Sequence, residues 1–365
     1  MVKKKNDNQK VCLQNIRIKG FKSIRELDLE LKSLNVLIGA NGSGKSNFLS
    51  IFTLLRYLAE NKLNKYIHTK GGAYAFLNFT SGHDQIKIEL EFNDFKYLCT
   101  LDPQSGDDLY LSEEKIIRDE SEIDLSEYAD LESGLVKLAR KNANVELIHD
   151  TLRKSRVYHF YDSKAFKNMT SKRDYYPLEE NARNLAAVLD KIFEEDSKCY
   201  NQIIEIVKII APFFEGFDFS IDQYEKTDKN LLFKWRHRDC LEDLQIDQMS
   251  DGLLRFICLA TLLLQPYPPP LILIDEPELG LHPHAIHVLA GMLRTASSKS
   301  KIIVATQSVT LVNQFKVNDI IIVEREGDES KFRREEPEKV KSWLEEFEEY
   351  GMGDLWEKNI IGGSM

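Results

Sequence analysis

The sequence is poor in the features that mark secreted, membrane-embedded or metal-stapled proteins. Its five cysteines are Cys12, Cys99, Cys199, Cys240 and Cys258. No two of them have the close spacing of a zinc site or a redox pair, and an odd count argues against a disulfide framework. They read as lone thiols of a reducing compartment. The longest apolar run, near Ile257 to Leu264, falls well short of the roughly 20 residues that cross a bilayer. The opening MVKKKNDNQK has no apolar core of a signal peptide. These absences predict a cytoplasmic protein with no membrane contact. A basic excess is missing too: 49 Lys and Arg stand against 59 Asp and Glu, a formal net charge of −10. That excludes an overall basic coat for nucleic acid and leaves a local basic surface open. Internal repeats and low-complexity segments are absent as well.

A hydrophobic fraction of 42% over 365 residues supports a sizeable core, as one large domain or a domain with an embedded lobe. VCLQNIRIKGFKSIRELDLEL alternates like two strands of a hairpin, and LNVLIG is a short buried strand ending in glycine. SNFLSIFTLLRYLAE places Phe48, Ile51, Phe52, Leu55 and Leu58 at helical spacing. IKIELEF and FKYLCTLD, parted by Asn93 and Asp94, predict a β-hairpin. The charged stretch from about Leu111 to Arg153 has few strand signals and is expected to be an inserted helical lobe. RVYHFYD and LLFKWRHR read as strands, NARNLAAVLDKIFEED and YNQIIEIVKIIAPFF as amphipathic helices. From Gln248 onward, helices alternate with the apolar strands LILID, KIIVATQS and IIIVERE, which means a parallel sheet covered on both faces. An acidic helix and a Gly-rich tail close the chain. The expected division is 1–110 (N-terminal lobe with the phosphate loop), 111–155 (helical insertion), 156–335 (C-terminal lobe) and 336–365 (acidic helix and tail).

Gly39 to Ser46 read GANGSGKS, the full G-x-x-x-x-G-K-S pattern, between a buried strand and an amphipathic helix. Glycines let such a loop turn its N–H groups inward onto phosphate oxygens, and the following helix aims its positive end at the same group. The candidate nucleotide-binding residues are Gly39, Asn41, Gly42, Ser43, Gly44, Lys45, Ser46 and Asn47. Lys45 supplies charge to the β- and γ-phosphates, and the Ser46 hydroxyl is a Mg²⁺ ligand.

LILIDE, residues 271–276, is an apolar strand ending in two acids. Asp275 at its end is a second Mg²⁺ candidate, and Glu276 the carboxylate that polarises the attacking water. Alone the pair would equally suit solvated loop charges; beside a complete phosphate loop, ATP chemistry is the better reading. Upstream lies QMSDGLLRF, in which Ser250 caps an apolar helix and Gly252 permits close approach of a ligand. By itself Ser250 would be an ordinary N-cap.

In this order, IKGFKSI, LNVLIGANGSGKSNFL, QMSDGLLRF, LILIDEPELGLHP and IIVATQS resemble the RecF/SMC/OLD-related ABC-type ATPases. The chain is similar in particular to compact bacterial AAA family ATPases consisting of the head alone, from RVYHFYD and NLAAVL to the tail GDLWEKN. The resemblance implies an α/β, ABC-type P-loop NTPase head. It has a mixed β-sheet core, an N-terminal antiparallel β-subdomain and an inserted helical lobe. It further implies ATP and Mg²⁺, and a homodimer in which Ser250, Asp251 and Gly252 of one copy face the nucleotide of the other. Residues 278–283, ELGLHP, fall at the dimer axis, where His282 is either an axial group or an ordinary surface histidine. Gln307 occupies the switch position, which is His in transporters and many relatives; its amide can still contact the γ-phosphate or the water. Asp162 is a metal-side candidate for the Q-loop, or a turn residue. Lys22 in GFKS either approaches the nucleotide or is a solvated strand lysine.

The stretch between Ser46 and Ser250 is too short for a long coiled-coil arm, and no Cys-x-x-Cys forms a zinc hook. The remainder of the chain after Gln307 is too short for the nuclease domain of full-length OLD proteins. The expectation is an ATP-gated dimeric switch in DNA maintenance or phage defence, served by a separately encoded, nuclease-like effector. Alternatives are a transporter ATPase subunit and a nucleotide-dependent scaffold with little turnover. Lys137, Arg140, Lys141, Arg153, Lys154 and Arg156 are DNA-contact candidates or simply a solvated helix face.

Overall fold

The computed structural model describes residues 12–78, 84–118, 121–128, 132–160, 178–221, 231–346 and 350–362. Two compact units divide the chain: 1–32, 50–155 and 325–332 form the first, 33–49, 156–324 and 333–365 the second.

The first unit is built on antiparallel strands whose burial alternates along one face. β1 (Leu13–Phe21) and β2 (Ile24–Glu30) form the hairpin expected from the sequence. β3 (Leu34–Ile38) belongs to the second unit. α1 (Lys45–Ala59) starts there and runs on into the first, followed by α2 (Leu63–Thr69). β4 (Ile86–Phe92) and β5 (Lys96–Gln104) make the second hairpin, and with β6 (Asp108–Arg118) and β7 (Ser121–Asp124) the sheet order is β2-β1-β4-β5-β6-β7.

β6 (Asp108–Arg118) and β7 (Ser121–Asp124) correct the helical expectation for residues after Leu111. Among the described residues the first α-helix after β7 is α3 (Leu135–Ala139), followed by α4 (Ala143–Lys154), capped by Asn142. The charges that suggested a helix are strand charges: Lys115 pairs with Glu113 and, across to β7, with Glu122. Cross-strand ion pairs of this kind stabilise a sheet as i,i+4 pairs do a helix.

In the second unit β14 (Ile320–Glu326), β3, β13 (Lys301–Thr306), β12 (Leu271–Asp275) and β8 (Arg156–Tyr158) lie side by side in that order, every pairing parallel. β3 and β13 are buried along their whole length, as a parallel sheet covered on both faces requires. The layer around them contains α5 (Leu185–Glu195), α6 (Ser197–Ile210), α7 (Asp251–Leu264), α8 (Pro283–Ala296) and α9 (Val309–Val312). α7 is apolar nearly all round, with Phe256, Ile257 and Leu262 wholly buried. A small antiparallel sheet, β11-β10-β9, joins β9 (Phe214–Ile221), β10 (Leu231–His237) and β11 (Leu244–Gln245). β15 (Glu329–Arg333) falls mostly in the first unit, where Ser330 N–H donates to Ser23 O at 2.7 Å. The tail is more than a Gly-rich end. After α10 (Pro337–Glu346), α11 (Met352–Glu357) docks on the end of α9, where Asn313 donates to Asp354 at 2.8 Å and accepts from Gly353 N–H. No helix among the described residues is long and apolar enough to cross a membrane.

Candidate nucleotide site

Parallel strands send their C-terminal ends to one edge of a sheet, the usual place for a ligand in an open α/β fold. Here the loop after β3, the acids ending β12, the turn after β13 and His159 after β8 share that edge.

The phosphate loop is shaped by its glycines. Gly42 and Gly44 take φ of +78° and +114°, a region that side chains disfavour. Ser43 is buried, and its Oγ has no hydrogen-bond partner among the described residues. A buried donor left in this state fits an anion, because an unmade hydrogen bond there is costly. Asn41 and Gly42 lie exposed at the loop tip, and Asn47 is half-buried one position past Ser46. Lys45, 5% exposed, donates from Nζ to Gly39 O at 2.7 Å and Ala40 O at 3.0 Å. Burial pulls its pKa down; Glu276, Asp275 and Glu278 oppose that pull.

Ser46 Oγ donates to Asp275 Oδ2 at 3.2 Å. A hydroxyl and a carboxylate side by side are hard oxygen donors suited to Mg²⁺, which leaves most of its positions to water and phosphate oxygens. Burial raises the Asp275 pKa, and His159 Nδ1, 3.7 Å away, is the first influence lowering it. Glu276 sits at φ +47°, a left-handed conformation uncommon for a residue with a side chain, and its N–H donates to Ala305 O at 2.8 Å. Gln307 Nε2 donates to Glu276 Oε1 at 3.0 Å. The Gln at the switch position therefore reaches the carboxylate beside the phosphate loop.

Two residues escaped the sequence reading of this edge. His159 directly follows β8, in RVYHFYD, which reads in the sequence only as a strand; its signal would have been a histidine next to the strand that carries Asp275. Glu278, placed with the dimer-axis segment, instead turns inward: its Oε1 accepts from Thr306 Oγ1 and, at 3.4 Å, from Gln307 N–H. Burial pushes its pKa up to about 7.

Ser250, Asp251 and Gly252 gather with the segment after Glu278. Ser250 caps α7 by accepting from Leu253 N–H at 3.4 Å, and both Ser250 and Asp251 are exposed. A side chain on Gly252 would meet Gly280 O at 2.7 Å, and Arg255 Nη1 donates to Leu279 O at 3.0 Å. His282 caps α8 through Nδ1, which accepts from His284 N–H at 3.3 Å, and is exposed. Asp162 lies outside the described residues. In the first unit the Lys22 ammonium donates to Ser50 Oγ at 2.9 Å between the Phe21 and Phe76 rings, and burial lowers its pKa to about 8. Among the basic candidates Arg153 and Lys154 both pair with Asp150, and Arg156 opens β8 in the second unit.

No curated protein matches the sequence. Solved structures match its fold. A crystal structure of an SMC head bound to the C-winged helix domain of ScpA aligns with TM-score 0.61 and 15% identity, over 91% of this chain and 99% of that one. An SMC head with an extended coiled coil from Pyrococcus furiosus, bound to the C-terminal domain of ScpA, gives 0.54 and 16% over 93% and 100%. An SMC head with coiled coil and joint from Pyrococcus yayanosii gives 0.52 and 13% over 93% and 100%. These likenesses establish the head fold. The family described as "AAA domain, putative AbiEii toxin, Type IV TA system" matches residues 34–313, well over half of the chain; the protein belongs to that family, and its P-loop fold is that of SMC heads.

Proposed function

We propose that the chain hydrolyses ATP between two of its own copies and acts as an ATP-gated switch. The observation that carries the reading is the Gln307 amide donating to Glu276 beside the Ser46–Asp275 pair. It supports a carboxylate held beside the loop that would cradle phosphate. The loop N–H groups, Ser43 and Lys45 hold the phosphates. Mg²⁺ held by Ser46 and Asp275 would neutralise phosphate charge. Glu276 orients the water. As the water oxygen bonds to the γ-phosphorus, the bond to the bridging oxygen breaks and a water proton passes to the carboxylate. Ser250, Asp251 and Gly252 cap an exposed helix end whose N–H groups suit the γ-phosphate held by the other copy.

ATP turnover and molar mass, measured for wild type, Glu276→Gln and Ser250→Arg, test the reading. Glu276→Gln is expected to lose turnover at least about 100-fold and to accumulate as an ATP-bound dimer. Ser250→Arg is expected to bind nucleotide and stay monomeric. A Glu276→Gln protein that turns over normally, or never dimerises, overturns it.

The family description names a toxin–antitoxin system, and the fold is that of SMC heads. These support a role in phage defence or DNA maintenance, for which a separately encoded, nuclease-like effector is the expected companion. Purifying the native complex would identify that companion. If it returns a membrane permease instead, the protein is a transporter subunit.

A further inference from the structure

Glu278 has no part in the chemistry above, yet its carboxyl group turns inward at the sheet edge. Its Oε1 accepts from the Thr306 hydroxyl and the Gln307 N–H, so it ties the turn after β12 to the turn after β13. Its Oε2 is buried with no hydrogen-bond partner among the described residues. Glu276 is the neighbouring carboxyl within hydrogen-bonding reach. Two carboxylates cannot bond to each other, whereas one carboxyl and one carboxylate can. A proton on Glu278 Oε2 removes the orphan and supplies Glu276 with a second donor.

We propose that Glu278 is a positioning residue that carries a proton, donates it in a hydrogen bond to Glu276, and together with Gln307 fixes the carboxylate that orients the water. Glu276 is then held from two sides, by the Gln307 amide and by the Glu278 hydroxyl, and both donors are anchored on the end of β13. The charge pattern agrees. The ionisable groups facing Glu278 are Glu276 on its own turn and Lys45 from the phosphate loop, while Thr306 at the end of β13 and Gln307 just after it are neutral. Burial first, then the Glu276 charge, favours the protonated form up to about pH 7. Above that, proton loss puts two negative charges side by side and removes one donor.

The inference rests on the hydrolysis reading, and its test separates the two. The pH dependence of kcat and KM is measured for wild type, Glu278→Gln and Glu278→Ala. An infrared pH titration compares wild type with Glu278→Gln. Wild-type kcat is expected to fall as pH rises through about 7. Glu278→Gln keeps an acceptor for Thr306 and Gln307 and a permanent donor for Glu276. It should keep kcat within about threefold of wild type at about pH 6.5 and lose the alkaline limb. Glu278→Ala should lose kcat by about tenfold to a hundredfold with little change in KM. In the infrared difference, a protonated-carboxyl band should be present at about pH 6 and gone by about pH 8. The proposal is overturned if Glu278→Gln keeps the wild-type limb, if Glu278→Ala turns over like wild type, or if the band is missing in acid. If wild type hydrolyses no ATP, the hydrolysis reading fails and the infrared titration alone decides whether Glu278 holds the proton.

Discussion

At the residue scale, one methyl group at Gly39 measures how tightly the phosphate loop is built. A Cβ there would overlap the carbonyl oxygen of Val323 on β14 and crowd Ser43 Oγ. The first obstacle is backbone, so no side-chain rotation relieves it. Gly39→Ala is expected to destabilise the protein by about 1–3 kcal/mol and to weaken nucleotide binding, since the loop must move away from β14. Denaturant unfolding and nucleotide titration check this; unchanged values in both would mean that β14 yields freely. Lys45 shows why the loop must also be pre-formed. Its ammonium already lies on Gly39 O and Ala40 O, so phosphate arrives at a charge held in place and stripped of water.

Among the elements, β6 carries the most unusual internal support. Glu114 is fully buried, and it accepts from Tyr97 OH at 2.7 Å, Ser133 Oγ at 2.6 Å and Gly134 N–H at 2.8 Å. One carboxyl group thereby fixes β5, β6 and the start of α3. Replacing it by Ala strands three buried donors, an expected loss of about 3 kcal/mol or more. Burial raises its pKa above the ordinary carboxylate range. A folded-state pKa above the unfolded one gives stability that is complete in acid and is lost as pH rises through the folded value. Thermal unfolding followed across that window should show the loss in wild type and not in Glu114→Gln, which stays neutral. An identical pH slope in both proteins would exclude Glu114 as its source.

For the molecule as a whole, the relevant quantity is the formal net charge of −10. In the proposed dimer, two copies meeting around ATP would repel each other over a distance set by salt, about 30 Å at about 0.01 M and about 8 Å at about 0.15 M. The ATP-bound dimer of Glu276→Gln is expected to tighten several-fold between those ionic strengths, read by sedimentation. Weakening instead would mean that complementary local charges at the interface outweigh the net repulsion.

The phosphate loop, the 271–276 strand with its acids, the Ser250 cap and the head fold were legible in the residues because each depends on near neighbours. Spacing fixes the loop, apolar runs mark the buried parallel strands, and a serine before an apolar helix caps it. The first hairpins and the alternating helices and strands after Gln248 were legible for the same reason. Strand β6 was not: its charges suit a helix until β5 and β7 supply cross-strand partners. Nor was the inward role of Glu278, because Thr306 and Gln307 reach it only when β12 and β13 lie side by side. Sequence alone settled what is chemically present at the sheet edge. Tertiary structure decided which carboxyl group faces which donor, because burial and pairing are properties of residues brought together from distant parts of the chain.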